Sequence, residues 1–196
     1  GVRVLAVDAD HNMDLSYNLG AEPSLFLGSD PDRIKEYVGA TRDGSYLKAL
    51  ATARENGAAF TLFPADAYTE DVSALLDEGL RLMTAGPHTD RVRSQEACSH
   101  SLAAPLKVYL PLLALKPGEA VVIDERAGTD PVATGILSGI DLAVVVEEPT
   151  LNSRRVAEQI MRELKIAGVP YLVAENKRDG IEADTARAAE RILTRV

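Results

Sequence analysis

Short apolar runs that end in acidic or turn-forming residues recur along the chain and predict the strands of a sheet. Runs such as Val2–Val7 and Ala120–Ile123 have no polar residue on either face apart from Arg3, which is typical of strands covered on both sides. The predicted strands are Val2–Val7, Phe60–Phe63, Leu80–Met83, Ala120–Ile123, Leu142–Val146 and Tyr171–Ala174. With helices between them, they predict an α/β fold: a mostly parallel sheet flanked by helices on both faces.

Helical spacing and capping residues predict the connecting helices. They are Asn12–Leu19, about Pro31–Val38, Tyr46–Asn56, Thr69–Glu78, Ser101–Leu115 with a kink or end near Pro111, a short helix opened by Asp130-Pro131 and ended by Ser138-Gly139, Asn152–Ala167, and Ile181–Val196. In the helix that begins at Asn152, the side chains of Val156, Ile160 and Leu164 fall on one face and are expected in the core.

Acidic residues follow two of the predicted strands directly. Asp8, Asp10 and Asp14 come after the first strand, and Asp124 ends the strand Ala120–Ile123. Because parallel strands end at a common edge, Asp8, Asp10 and Asp124 are expected there together. Mg²⁺ prefers carboxylates, held directly or through water, so the first loop is interpreted as a metal- and water-positioning loop. The alternative is a solvated loop that caps the following helix.

The chain has one Cys, and Cys98 stands in a Cys-x-His pair with His100. One interpretation is a small buried Cys beside an incidental His. The other uses symmetry: in a two-fold dimer, two such pairs could supply four ligands in a tetrahedral set, suited to Zn²⁺ or a related thiophilic ion.

Composition limits the possible class of protein. The chain has 196 residues, of which 46% are hydrophobic, enough for one domain over residues 1–196. A formal net charge of −9 makes nucleic acid and anionic membranes poor partners. We find no transmembrane run and no signal peptide, and a single Cys is consistent with a reducing cytoplasm.

The central stretch resembles a known family. An apolar strand ends in Asp124, Ala127-Gly128 follows, the next strand leads into Glu148-Pro149-Thr150, and Asn152-Ser153 opens a helix. This order is similar to the MinD/ParA/nitrogenase-iron-protein class of P-loop ATPases. Within the class it looks most like the CooC branch, the ATPases that mature nickel carbon monoxide dehydrogenase.

The resemblance implies roles for the acidic edge. Asp10 matches the acid that orients the attacking water or the Mg²⁺ shell, and Asp14 matches a second acid near the γ-phosphate. Asp124 matches the Walker B-like acid that holds the Mg²⁺ shell, and Asp8 joins it as a cofactor-binding residue. Gly128 matches the glycine of switch II, where the backbone senses a phosphate.

Two further elements of the family have counterparts. Asn176-Lys177, after the strand Tyr171–Ala174, resembles the element that recognises the adenine base. CooC-like proteins carry a Cys-x-Cys pair, and the nitrogenase iron protein a Cys that holds a shared iron–sulfur cluster, where this chain has Cys98 and His100. The resemblance therefore implies Zn²⁺, Ni²⁺ or an iron–sulfur cluster at a dimer interface.

One essential part of the class is missing from the sequence. No glycine-rich loop with lysines, of the type GKGGxGKT/S, occurs in these 196 residues. We therefore expect the chain to lack the first strand, the phosphate loop and the first helix of the family, and to stop before its last strand. As a fragment truncated at both ends, it should bind ATP weakly or not at all alone.

The leading hypothesis is a CooC-type ATPase. ATP with Mg²⁺ would close a homodimer, hydrolysis would open it, and metal would pass to a client metalloenzyme. The alternatives are a MinD/ParA-like positioning ATPase, or a non-catalytic binding module if the phosphate loop is truly absent.

Overall fold

Six strands and seven α-helices lie in residues 1–96, 98, 101–129, 132 and 136–177, which are the residues that the computed structural model describes. The strands are β1 (Arg3–Asp8), β2 (Ser73–Asp77), β3 (Leu80–Thr84), β4 (Glu119–Asp124), β5 (Ala143–Glu147) and β6 (Tyr171–Glu175). The helices are α1 (Asp14–Leu19), α2 (Arg33–Tyr37), α3 (Tyr46–Glu55), α4 (Ala67–Val72), α5 (Asp90–Arg93), α6 (Leu106–Tyr109) and α7 (Leu151–Ala167). The chain divides into two compact units, Gly1–Ile140 and Asp141–Val196.

The sheet of the first unit is mostly parallel, as predicted. Its strand order is β2-β3-β1-β4; β1 pairs in parallel with β3 and β4, and β2 pairs antiparallel with β3. At the end of β1, Asp8 is in register with Thr84 on one side and with Asp124 on the other. The carboxyl ends of the three parallel strands therefore form one edge.

The two faces of this sheet are covered differently. Leu5, Val7 and Met83 are 0% exposed and belong to the main hydrophobic core, together with residues of α3 and α6. Side chains alternate along a strand, so Asp8 points to the opposite face from Val7. On that face α1 meets the end of β1, since Ser16 hydrogen-bonds to Asp8.

The second unit has a βαβ arrangement. β5 and β6 pair in parallel, and α7 connects them. Thr150 caps α7 by accepting from the backbone N–H of Ser153, and Gly168 ends it at φ 72°. The buried face of α7 is only partly the predicted one. Leu164 is buried as predicted, but Val156 is exposed and Ala157 is buried instead.

The predicted helix Thr69–Glu78 is wrong in its second half. α4 ends at Val72, and Ser73 begins β2. The carboxylate of Asp77 accepts from the backbone N–H of Gly79 at 2.7 Å and so stabilises a tight turn. This turn returns the chain antiparallel onto β3, and pairing with that strand outweighs the helical spacing of the apolar residues.

Two other elements also differ from the predictions. Phe60–Phe63 forms only isolated bridges, Phe60 with Leu113 and Leu62 with Ala65, because the carboxylate of Asp66 accepts the N–H of Thr61. The predicted helix over 101–115 is reduced to α6 and a 3₁₀ turn at Leu110–Leu112, where proline removes a backbone donor.

Some predicted elements cannot be compared. The short helix opened by Asp130-Pro131 falls largely, and Ile181–Val196 wholly, outside the described residues. Among the helices that are described, none is both long enough and apolar enough to cross a bilayer.

Candidate functional site

Asp8 is the most deeply buried acid of the strand-end edge. One of its carboxylate oxygens, Oδ2, accepts from the backbone N–H and from the hydroxyl of Ser16, each at 2.8 Å. The same hydroxyl lies 2.8 Å from that of Thr84 on the neighbouring strand. The other oxygen, Oδ1, is buried and has no hydrogen-bond partner among the described residues. A buried carboxylate oxygen is costly to leave unpaired, so this atom is suited to a ligand.

Asp124 faces Asp8 across the sheet edge. The two residues are in register, and the backbone oxygen of Asp124 accepts from the N–H of Ala9 at 2.9 Å. Partial burial raises the pKa of Asp124, and the charges of Asp8, Asp10 and Asp14 raise it further. The structure thus brings together Asp8, Asp10 and Asp124, the three acids that the sequence predicted at this edge, and Asp14 lies near enough for its charge to act on Asp124.

Glu125 is a member of this cluster that the sequence analysis missed. Burial raises its pKa to about 7; Arg126 opposes the shift, and Asp10 and Asp124 add to it. One carboxylate oxygen of Glu125 is buried without a hydrogen-bond partner in the described part of the chain. The sequence shows that a second acid follows Asp124, but it does not show that this acid is buried.

Asp10 lies in the loop between β1 and α1. Its carboxylate accepts from the backbone N–H of Asn12 at 3.2 Å, and Oδ1 lies 3.0 Å from Nδ1 of His11. The imidazole of His11 stacks on that of His88, which follows β3. The sequence analysis assigned no role to either histidine.

Asp14 follows β1 and Gly128 follows β4, and their predicted roles stay predictions. Asp14 occupies the first turn of α1, and its negative charge contributes to the raised pKa of Asp124. Gly128 has φ 101°, a conformation that a side chain would strain, although a Cβ there would meet no atom within 4 Å. Backbone conformation, and not lack of space, therefore favours glycine at this position.

The acidic edge fits a hydrated divalent cation. Asp8 has a buried oxygen without a partner among the described residues, and burial together with the charges of nearby acids raises the pKa of Asp124; a cation would relieve both. Within the described residues, however, no three His, Cys, Asp or Glu side chains converge as a direct metal-binding set. Mg²⁺ usually keeps several of its waters, so the arrangement suits an ion held mainly through water.

Asn176 and Lys177 lie at the end of β6 in the second unit. The N–H of Asn176 donates to the backbone oxygen of Glu147 at 2.7 Å, and its side-chain oxygen accepts from the N–H of Lys177 at 2.9 Å. Nζ of Lys177 lies 2.5 Å from a carboxylate oxygen of Glu148. Among the described residues, the side-chain oxygen of Asn176 is used within the loop and its amide N–H₂ group has no hydrogen bond, so that group could meet a ligand.

Cys98 is exposed, so it is not the small buried core residue of the first interpretation. Its backbone oxygen accepts from the hydroxyl of Ser101 at 2.6 Å. His100 lies outside the described residues, so the distance between the two side chains stays untested.

The comparisons with known proteins find two distant archaeal relatives. Both are uncharacterized ATP-binding proteins of Methanocaldococcus jannaschii, and each is 26% identical to this chain. One match covers 163 residues, 82% of this chain and 61% of the relative; the other covers 179 residues, 88% and 62%. The chain thus spans about three fifths of the length of these relatives. No protein-family model matches the sequence.

Proposed function

We propose that this chain is part of an ATP-binding protein whose acidic edge serves Mg²⁺-dependent ATP hydrolysis. The observation that carries the proposal is the register of Asp8 with Asp124 at the ends of adjacent parallel strands. One oxygen of Asp8 is buried there and has no hydrogen-bond partner in the described part of the chain. Ligands of open α/β sheets bind beyond the carboxyl ends of the strands. The ATP-binding relatives support the choice of nucleotide.

In this proposal, the acids of the edge have different roles. Asp8 and Asp124 hold the hydrated Mg²⁺, which when bound neutralises charge on the phosphates. Asp10 orients the attacking water, and Asp14 adds a second negative charge beside it. Phosphoryl transfer depends mainly on such positioning and electrostatic stabilisation. The backbone at Gly128 is free of side-chain bulk where it would approach a phosphate.

In the second unit, Asn176 and Lys177 are proposed to recognise the adenine base. The amide N–H₂ group of Asn176 can donate to a ring nitrogen of adenine. Lys177 lies at φ 58°, and its ion pair with Glu148 keeps the amine at the end of the strand.

The phosphates need groups that these 196 residues do not contain, since no glycine-rich lysine loop occurs in the sequence. We therefore propose the ATPase activity for the full-length protein. The 196-residue chain alone is expected to bind Mg-ATP weakly or not at all, as the sequence indicated.

The direct test is hydrolysis of ATP by the full-length protein with and without Mg²⁺. Asp124→Asn should lower turnover and raise the Mg²⁺ concentration needed for half-maximal rate. Asp43→Asn, at an exposed acid in the loop before α3, is the matched control and should leave both unchanged. Turnover that is independent of Mg²⁺, or equal in Asp124→Asn and the wild type, would overturn the proposal.

We further propose that the full-length protein is a homodimer that matures a metallocentre, as CooC-type ATPases do. The exposure of Cys98 supports this, because a shared interface ligand must be accessible before assembly. Metal analysis should find about one Zn, Ni or Fe per dimer. The metal should be lost in Cys98→Ser, with sedimentation reporting the dimer; a metal-free dimer contradicts the maturation role.

A further inference from the structure

Two histidines from different loops meet beside the acidic edge. His11 follows β1 and His88 follows β3, and their imidazole rings are stacked with centroids 4.2 Å apart and planes 18° apart. The two loops leave the sheet side by side, since Asp8 is in register with Thr84 and its backbone oxygen accepts from the N–H of Ala85 at 2.7 Å. The stack therefore joins two loops that the sheet already holds together.

His11, which takes part in this ring contact, also lies beside the carboxylate of Asp10. Its Nδ1 lies 3.0 Å from Oδ1 of Asp10, close enough for an electrostatic contact between the two side chains. The nitrogen is buried, yet the two groups are not aligned as a hydrogen bond, and the described residues offer Nδ1 no other one. A polar ring nitrogen excluded from water is stabilised most by its nearest acceptor, here the carboxylate of Asp10.

The contact with His88 restricts the imidazole of His11, which lies beside the carboxylate of Asp10. An imidazole rotates about two side-chain torsions, and a flat neighbour packed on its face restricts both. Apart from His11, the described residues give the carboxylate of Asp10 contacts with Asn12, whose N–H donates to it at 3.2 Å and whose side-chain amide donates at 3.4 Å. Among the described contacts of Asp10, His11 is thus the partner that is itself held by another loop, through His88 after β3.

We propose that His88, by stacking on His11, positions the carboxylate of Asp10. Both histidines are positioning residues: they act through Asp10 and need not touch the nucleotide. The consequence for turnover rests on the proposed ATPase function, whereas the ring contact and its effect on Asp10 do not. The loop after β3 thereby becomes a part of the machinery that orients the attacking water.

Steady-state kinetics of the full-length protein test the catalytic consequence. Loss of the stack in His88→Ala should lower kcat about tenfold, because misplaced catalytic groups lose rate steeply, while KM for ATP stays within about twofold. His88→Phe keeps a flat ring on His11 and should restore most of the rate. Equal kcat in His88→Ala and the wild type, or no rescue by phenylalanine, overturns the proposal.

Nuclear magnetic resonance of the full-length protein tests the contact without nucleotide. Ring ¹⁵N spectra, assigned with His11→Gln and His88→Gln, should show nuclear Overhauser contacts between the two imidazoles. Asp10→Asn should change the Nδ1 signal of His11, and His88→Ala should change it too. Circular dichroism confirms that each variant is folded, and His88→Phe should retain the wild-type environment of His11.

The kinetic and the spectroscopic experiment test separate claims. A full-length protein that hydrolyses no ATP overturns the proposed function, while the ring spectra still decide the contact. A His11 signal that does not respond to Asp10→Asn or to His88→Ala overturns the positioning role, whatever the ATPase rate.

Discussion

The ends of the parallel strands differ between the two units. In the first unit, Asp8 is 0% exposed and Asp124 adjoins it, so negative charges are crowded against a buried core. In the second unit, the side chain of Lys177 is 69% exposed and its amine is paired with Glu148. Parallel strands form both edges, but the first brings carboxylates together and the second pairs a lysine with a glutamate.

The difference indicates where binding energy is available. Burial, and then the neighbouring carboxylates, raise the pKa of Asp124, so a cation would relieve more unfavourable charge at the first edge than at the second. A surface ion pair such as Lys177 with Glu148 is already compensated and contributes little to stability. We therefore propose the metal and the chemistry for the first edge; recognition of the base by Asn176 and Lys177 is a separate proposal for the second unit.

The largest effect should come from Asp10. In the full-length protein, Asp10→Ala removes the group proposed to orient water and should lower kcat at least about 100-fold. The fold should be spared, because the Asp10 side chain is hydrogen-bonded only within its own loop in the described contacts. Lys177→Ala, in the second unit, should mainly raise KM; a larger loss of kcat there than in Asp10→Ala would reverse the assignment of the two edges.

Glu125 should make stability depend on pH. Its pKa rises from an ordinary 4.5 to about 7, so in this window the folded chain binds more protons than the unfolded chain. The free energy of unfolding should fall as pH rises from 4.5 to 7, by up to about 2 kcal/mol after allowance for solvent screening. Urea titrations at several pH values measure it. Glu125→Gln should flatten this slope; an unchanged slope would show that Glu125 is not buried as described.

The position of the acids at the strand ends could be predicted from the sequence, because it needs only local pattern and strand direction. The apolar run before Asp124 and the acids after β1 identify one edge of a parallel sheet. β2 could not be predicted, since its apolar residues have helical spacing and its pairing with β3 is decided by a distant strand. Likewise, the contact of His11 with His88 depends on the adjacency of β1 and β3.

Ser16 should matter for stability at the first edge. Its hydroxyl donates to Asp8 and contacts the hydroxyl of Thr84, all three residues being 0–1% exposed. Ser16→Ala leaves buried oxygens without this donor and should lower the free energy of unfolding by about 1–3 kcal/mol, measured by chemical denaturation. Ser24→Ala, at an exposed serine in the loop after α1, is the matched control. Equal stability of the two variants would contradict the hydrogen-bonded network.

The smallest effect should come from the ion pair of the second unit. Glu148→Gln removes the partner of Lys177 at the surface and should change the free energy of unfolding by less than about 1 kcal/mol. The change should shrink further at high salt. A loss as large as that of Ser16→Ala would mean that the second edge is as strongly coupled to the fold as the first.

The central claim is that Asp8 and Asp124 bring Mg²⁺ to a nucleotide, and calorimetry of the full-length protein tests it most directly. We predict that ATP binds more tightly with Mg²⁺ than without it, and that Asp124→Asn removes this difference while leaving Mg²⁺-free binding unchanged. An ATP affinity that is the same with and without Mg²⁺ in the wild-type protein would contradict the account.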